Sequence, residues 1–233
     1  MAGKVVTLEG FPSLLSALGN AGYEVIGPTI GEEAIVYDIV ESVEDLPIGW
    51  TDNQEAGKYS LSRRNDKALF GYVVGSRTWK HFLFPPQVTL LTINPSDDGL
   101  MFTSTPQEPK LRAFLGIRPC ELAAIEIQDR VFLENGYSDP IYVTARAGMF
   151  TVAVNCAVAG GTCFCTSMGT GPRADDGFDL VLTEIIDDDL HEFIIEVGSD
   201  AGEAILESVE GRPLEKADRF RVDAIVQNTA ANM

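Results

Sequence analysis

Alternation of short apolar runs with helix-periodic stretches predicts a mixed α/β (α+β) fold: a mixed sheet flanked by helices, with a C-terminal hairpin and helices. Two observations carry this expectation. A β-branched run at residues 34–40 and a continuous apolar run at 150–154 each follow a stretch of helical periodicity, at 11–22 and 121–134. The 233 residues are 45% apolar and 22% charged, which is enough to bury a core and too apolar for a disordered chain. The length suits one large domain or two small ones, and the reading adopted is a single domain over 1–233, with any division near 95–110.

Each element follows from its residues. Residues 11–22 read as helix, since Leu14, Leu15 and Leu18 share a face and Gly19 and Gly22 mark the end. Residues 22–28 read as a short strand entering a turn, and 34–40 as strand. Pro47, Gly49, Asp52, Asn53 and Gly57 make 41–59 mostly loop. Residues 59–62, 67–74 and 88–93 suggest strands, the last closed by the turn signal Asn94-Pro-Ser-Asp-Asp-Gly99. Residues 112–117 form a strand ending at Pro119. Leu122, Ile125, Ile127, Val131 and Phe132 give 121–134 a helical period, and Asn135-Gly136 supplies a left-handed stop. The unbroken apolar run 150–154 predicts a strand buried on both faces. Residues 179–185 and 192–197 read as a hairpin around the acidic turn Asp187-Asp-Asp189. Helices at 199–209 and 215–228 close the chain.

The formal charge is −18, from 35 acidic and 17 basic residues, with two His. That argues against nucleic-acid binding, which needs a basic surface, and against an anionic membrane surface. The opening Met1-Ala-Gly-Lys-Val-Val has no leader pattern, and no run approaches the ~18 apolar residues that would cross a bilayer. The expectation is a cytoplasmic protein without membrane insertion, in which four Cys stay reduced.

All four Cys lie between Cys120 and Cys165. Cys120 sits in Gly116-Ile-Arg-Pro-Cys-Glu121, between a strand end and a helix start. The others form Cys156-Ala-Val-Ala-Gly-Gly-Thr-Cys163-Phe-Cys165, after a buried strand. Parallel strands deliver their following loops to one sheet edge, so these two segments can converge. Four Cys without a neighbouring His fit an all-thiolate site for zinc or an iron–sulfur cluster. The paired C-x2-4-C knuckles of structural zinc sites are missing, whereas a cubane tolerates irregular spacing and wants close backbone approach, which Gly160, Gly161, Gly169 and Gly171 permit. Spacing leaves open two other readings, inert buried thiols and a redox-active thiol pair.

Other motifs carry less. Gly169-Thr-Gly-Pro172 belongs to neither phosphate-loop pattern and reads as a loop beside the Cys site. His81 and His191 are lone His, ordinarily structural. Arg77, Lys80 and Arg118 could neutralise a cluster, contact a partner's anion or form ordinary ion pairs. The apolar run 79–86 suits a core, a cluster pocket or a partner interface. No G-x-S-x-G elbow or distinct carboxylate dyad points to an enzyme.

Several strings resemble the β-subunit of cytoplasmic sulfhydrogenases and its relative in anaerobic sulfite reductase. They are Gly22-Tyr-Glu-Val-Ile-Gly-Pro28, Tyr72-Val-Val-Gly-Ser-Arg-Thr-Trp-Lys-His-Phe-Leu-Phe-Pro-Pro86, Phe114-Leu-Gly-Ile-Arg-Pro-Cys-Glu-Leu-Ala-Ala-Ile125, Asp129-Arg-Val-Phe132, Asn155-Cys156, Thr162-Cys-Phe-Cys-Thr-Ser-Met-Gly-Thr-Gly-Pro-Arg173 and Gly177-Phe-Asp-Leu-Val-Leu-Thr-Glu184. The Cys-Phe-Cys-x-Ser-Met-Gly-Thr-Gly-Pro string is the most specific. The resemblance implies a non-catalytic electron-transfer subunit of an oxidoreductase complex. In it Cys120, Cys156, Cys163 and Cys165 would hold one 4Fe–4S cluster and relay electrons between a flavin/NAD(P)-binding partner and a catalytic hydrogenase or reductase subunit. Members of that family continue into a ferredoxin-like dicluster region with C-x2-C-x2-C runs. This sequence has no such motif, which implies a truncated or split form, or one that hands electrons to a separate ferredoxin-like protein. The alternative is a structural or assembly module with no cluster of its own.

Overall fold

The computed structural model describes residues 2–73, 75, 77–96, 99–104, 109–187 and 190–233. In chain order the elements are β1 (Gly3–Thr7), α1 (Pro12–Asn20), β2 (Glu24–Gly31), β3 (Ala34–Ile39), β4 (Trp50–Glu55), β5 (Lys58–Arg63), α2 (Lys80–Leu83), β6 (Leu91–Ser96), β7 (Gly99–Ser104) and β8 (Arg112–Ile117). There follow α3 (Pro119–Phe132), α4 (Pro140–Ala147), β9 (Met149–Val154), α5 (Cys165–Met168), β10 (Leu180–Asp187), β11 (Leu190–Val197), α6 (Asp200–Glu207), β12 (Arg212–Pro213) and α7 (Lys216–Ala231).

Eight strands form one mixed sheet in the order β12-β1-β11-β10-β9-β8-β2-β3. Its centre, β10-β9-β8-β2, is parallel, and antiparallel pairs flank it. Pleating sends alternate residues to opposite faces. Leu115, Val152, Val154, Leu180 and Leu182 meet Leu14, Leu18, Ile205 and Leu206 of α1 and α6. Phe114, Ile117, Ala153 and Val181 meet Trp79, Leu122, Ile125 and Tyr142 of the α2–α4 side. A third cluster seats Val222 of α7 on Val5, Ile185 and Ile194. The mixed α/β class and the doubly buried strand at 150–154 are therefore as the sequence predicts.

Helix starts follow local chemistry. Proline occupies the first turn of α1, α3 and α4, where no N–H is needed. Asp139 caps α4 by accepting from the Ile141 and Tyr142 amides at 2.8 and 3.0 Å. Ser199 caps α6 through the Gly202 amide at 3.1 Å. Between α3 and α4, Asp129 accepts the Tyr142 hydroxyl at 2.7 Å and Arg146 Nε at 3.1 Å.

Several expected elements differ. The strand expected at 59–62 is β5, but the loop assigned to 41–59 contains its partner β4, because polar alternation there is paired locally, with Asn53 Nδ2 donating to Ser62 Oγ at 3.0 Å. The strand expected at 67–74 is absent among its described residues, Val74 lying outside them. Its amides go to carboxylates instead: Leu69 and Phe70 to Glu184, Val73 to Asp52. The strand expected at 88–93 starts later and runs to Ser96, so of the turn read at 94–99 residues 94–96 and Gly99 are strand, and residues 97–98 lie outside the described residues. β1, β7 and α4 are additional elements. The acidic turn at 188–189 also lies outside the described residues, as do 97–98 and 105–108 of the region where a division was expected.

Candidate functional site

β8 and β9 are neighbouring parallel strands, and their register pairs Ile117 with Ala153. Cys120 and Cys156 each lie three residues beyond that rung. The match depends on an irregularity between Leu115 and Ile117, where Gly116 at φ +93 is passed over in the ladder. The extra residue re-aims everything after it. A Cβ at Gly116 would stand 3.1 Å from the Tyr72 hydroxyl and 3.4 Å from that of Tyr37, so the two hydroxyls meet over this kink.

Cys120 occupies the first turn of α3. Cys156 leaves β9 with its amide bonded to the Pro172 carbonyl at 3.1 Å, which ties the two ends of the Cys loop together. Cys163 lies in a turn closed onto Gly160, whose amide donates to Cys163 Sγ at 3.3 Å. Cys165 begins the one-turn α5 and packs close enough to Gly171 that a Cβ there would stand 3.1 Å from its sulfur and 3.2 Å from Pro119. Met233 also reaches this loop, its sulfur 3.6 Å from Cys165 Sγ. All four Cys are free thiols.

The thiols act on one another electrostatically: Cys120 feels Cys156 and Cys165, Cys156 feels Cys165 and Cys163, and Cys165 feels Cys163. Burial, then the charges of Glu121 and of the other thiols, pushes Cys120 up to about 12. Burial likewise raises Cys156 and Cys165, and Arg118 opposes the rise at Cys156. Left to themselves, Cys120, Cys156 and Cys165 favour the protonated thiol. Among the described residues, no group of three or more His, Cys, Asp or Glu side chains is arranged to hold a metal ion. A cubane seats its thiolates on separate iron corners, a wider arrangement than the ~2.3 Å ligand shell of one zinc ion.

Behind the thiols lies a feature that sequence reading named only as one of three spare cations. Arg118 is 2% exposed. Its Nη2 donates to the Phe70 and Tyr72 carbonyls, both at 2.8 Å, and its guanidinium lies over the Tyr72 ring. No carboxylate closes an ion pair with it among the described residues, and its Nε has no acceptor there. Glu121, pushed up to about 7 by burial, accepts the Arg118 backbone amide through Oε2 at 2.9 Å and leaves Oε1 unpartnered. Tyr37 Oη, Tyr72 Oη and Trp79 Nε1 are also buried without partners among the described residues. The clustering of these groups is the signal that sequence could not carry.

The other candidates sort quickly. Arg77 pairs with Glu32 on the surface at 2.9 Å, and Lys80 sits over the Trp79 ring. His191 hydrogen-bonds buried Glu184 at 2.8 Å and His81 stacks edge-on to Phe82, both structural roles. Gly169 ends α5 in a left-handed turn and lines a cleft of about 560 Å3 with Pro119, Thr170 and Arg173. Trp79 and Leu83 of the apolar run are core residues. No helix among the described residues is long and apolar enough to cross a membrane. Compared with known proteins, the chain matches no family model, no curated protein and no solved structure.

Proposed function

We propose that this chain is an iron–sulfur electron-transfer subunit, with Cys120, Cys156, Cys163 and Cys165 as ligands of one 4Fe–4S cluster. What supports the reading is that four free thiols lie on the segments following two adjacent parallel strands, act on one another electrostatically, and have buried Arg118 two residues before the first of them. Toward such a group the chain offers four thiols as ligands, the Gly160 amide at the Cys163 sulfur and a glycine, Gly171, beside Cys165. When bound, the cluster supplies one-electron chemistry. The chain's part is to hold it, bury it and balance its charge. Phe164 and Met168, on either side of Cys165, are exposed and offer an apolar approach to a redox partner.

The sequence resemblance extends the proposal to a cytoplasmic complex. There the chain relays electrons between a flavin/NAD(P)-binding partner and a catalytic hydrogenase- or sulfite-reductase-like subunit, directly or through a separate ferredoxin-like protein. The test is anaerobic purification and reconstitution. The expected result is broad absorbance near ~400 nm and roughly four irons per chain, both lost in Cys163→Ser and kept in Ser167→Ala. A colourless chain that takes up no iron overturns the proposal. It would favour the second reading, an assembly module with inert thiols, to which the raised Cys120, Cys156 and Cys165 thiols lend support.

A further inference from the structure

We propose that Arg118, backed by the Tyr37 and Tyr72 hydroxyls and the Trp79 indole, is the built-in counter-charge of an anionic thiolate-ligated centre. It acts as a positioning residue that governs how readily that centre accepts an electron. The inference rests on the iron–sulfur reading above and adds to it a residue outside the ligand set.

The guanidinium is permanently charged, and a buried charge is costly unless it is paired. Arg118 is almost fully buried, yet its acceptors among the described residues are the two backbone carbonyls of Phe70 and Tyr72. Those bonds fix its orientation without cancelling its charge. Glu121 spends its Oε2 on the Arg118 backbone amide at 2.9 Å and closes no ion pair with the guanidinium among the described residues. The rest of the balance has to come from elsewhere. Arg118 stands two residues before Cys120 and acts electrostatically on both Cys120 and Cys156. Tyr37 Oη is a further buried donor in the same neighbourhood without a partner among the described residues, while Tyr72 lies against Arg118 and Trp79 against Glu121. Tyr37 feels Glu121, Tyr72, Arg118 and Cys120, so the set is contiguous with the thiols. A permanent cation with no carboxylate partner there selects for an anion. Four thiolates bring more negative charge than an iron–sulfur core cancels, and reduction adds one more, so the cation favours the reduced form.

The experiment uses the full chain, anaerobically reconstituted, as wild type, Arg118→Met, Arg118→Lys and the double variant Tyr37→Phe/Tyr72→Phe. Iron per chain and a midpoint potential from a dithionite titration followed by electron paramagnetic resonance are the readouts. Arg118→Met is expected to shift the midpoint to more negative potential, so that the reduced fraction at the wild-type midpoint falls several-fold. Arg118→Lys restores most of the shift, and the double Phe variant moves the midpoint in the same direction by less. A clamp that merely ties Phe70 to Tyr72 would leave the midpoint unmoved. Where Arg118→Met does not fold, the Lys and double Phe variants decide: a wild-type midpoint in the double Phe variant overturns the inference. A loaded wild type whose variants all keep its midpoint overturns this inference alone, whereas a wild-type chain that takes up no iron overturns the iron–sulfur reading and this inference with it.

Discussion

Arg118 Nη2 donates to the Phe70 carbonyl at 2.8 Å, while the Phe70 amide donates to Glu184 at 2.9 Å. One irregular residue thus links β10, which carries Glu184, to the cation behind the thiols. Glu184 also accepts the Leu69 amide at 2.7 Å and His191 Nε2 at 2.8 Å. Glu184→Ala strands two buried amides, at ~1–3 kcal/mol each, and is expected to lower stability by about 2–5 kcal/mol in urea melts. It should also reduce iron retention, since the Arg118 acceptors move. Glu184→Gln keeps an acceptor oxygen and should lose roughly half as much. Equal losses in the two variants would contradict this linkage.

Gly116 is the kink that sets Cys120 level with Cys156. At φ +93 a side chain is strained, and its Cβ would press on the Tyr72 hydroxyl at 3.1 Å. Gly116→Ala is expected to cost about 1–3 kcal/mol and to lower iron per chain disproportionately. Gly19→Ala, with nothing within 4 Å of its Cβ, serves as the control and should keep its iron.

Asp218 seats α7. Its two oxygens take Arg212 Nη1 and Nη2 at 2.7 Å each, and Oδ2 takes the Glu215 amide at 2.9 Å. The Arg212 hydrogen bonds foremost hold its carboxyl down to about 2. A depressed acid stabilises the fold above its unfolded value of about 3.9 and loses that contribution as pH falls through about 2. Asp218→Asn is expected to cost about 2 kcal/mol at pH 7 and to flatten the stability profile between about pH 4 and pH 2. Thermal melts across that range check it.

Among the described residues the β6–β7 hairpin pairs with itself, outside the large sheet. Its strands Leu91–Ser96 and Gly99–Ser104 contain no charged residue, and Leu91, Ile93, Leu100, Met101 and Phe102 are exposed. An isolated two-stranded ribbon adds little to stability. Replacing residues 90–108 with a short polar linker is expected to leave the melting temperature within a few degrees, and to leave thiol content and iron uptake unchanged. A large drop in either would show that the hairpin supports the body.

Local chemistry made much of this protein legible from its residues. The periodicity of Leu14, Leu15 and Leu18, that of Leu122, Ile125 and Phe132, and the apolar run 150–154 act within a few positions, so α1, α3, the central strands and the mixed class could be read directly. Even so, α3 ends at Phe132, before the Asn135-Gly136 stop, and α4 went unread. The same was true of the two Cys segments, each read as following a strand. What needed the tertiary structure was pairing across distance. Residues 67–73 looked like strand until Glu184 and Asp52, 21 to 115 positions away, took their amides. β4, the polar partner of the strand read at 59–62, carried no apolar alternation to announce it. Arg118 read as one spare cation among three. Its burial without a carboxylate emerged only once β8, the 69–73 segment and α3 were packed together, because burial and charge pairing belong to neighbours in space, not to positions in the chain.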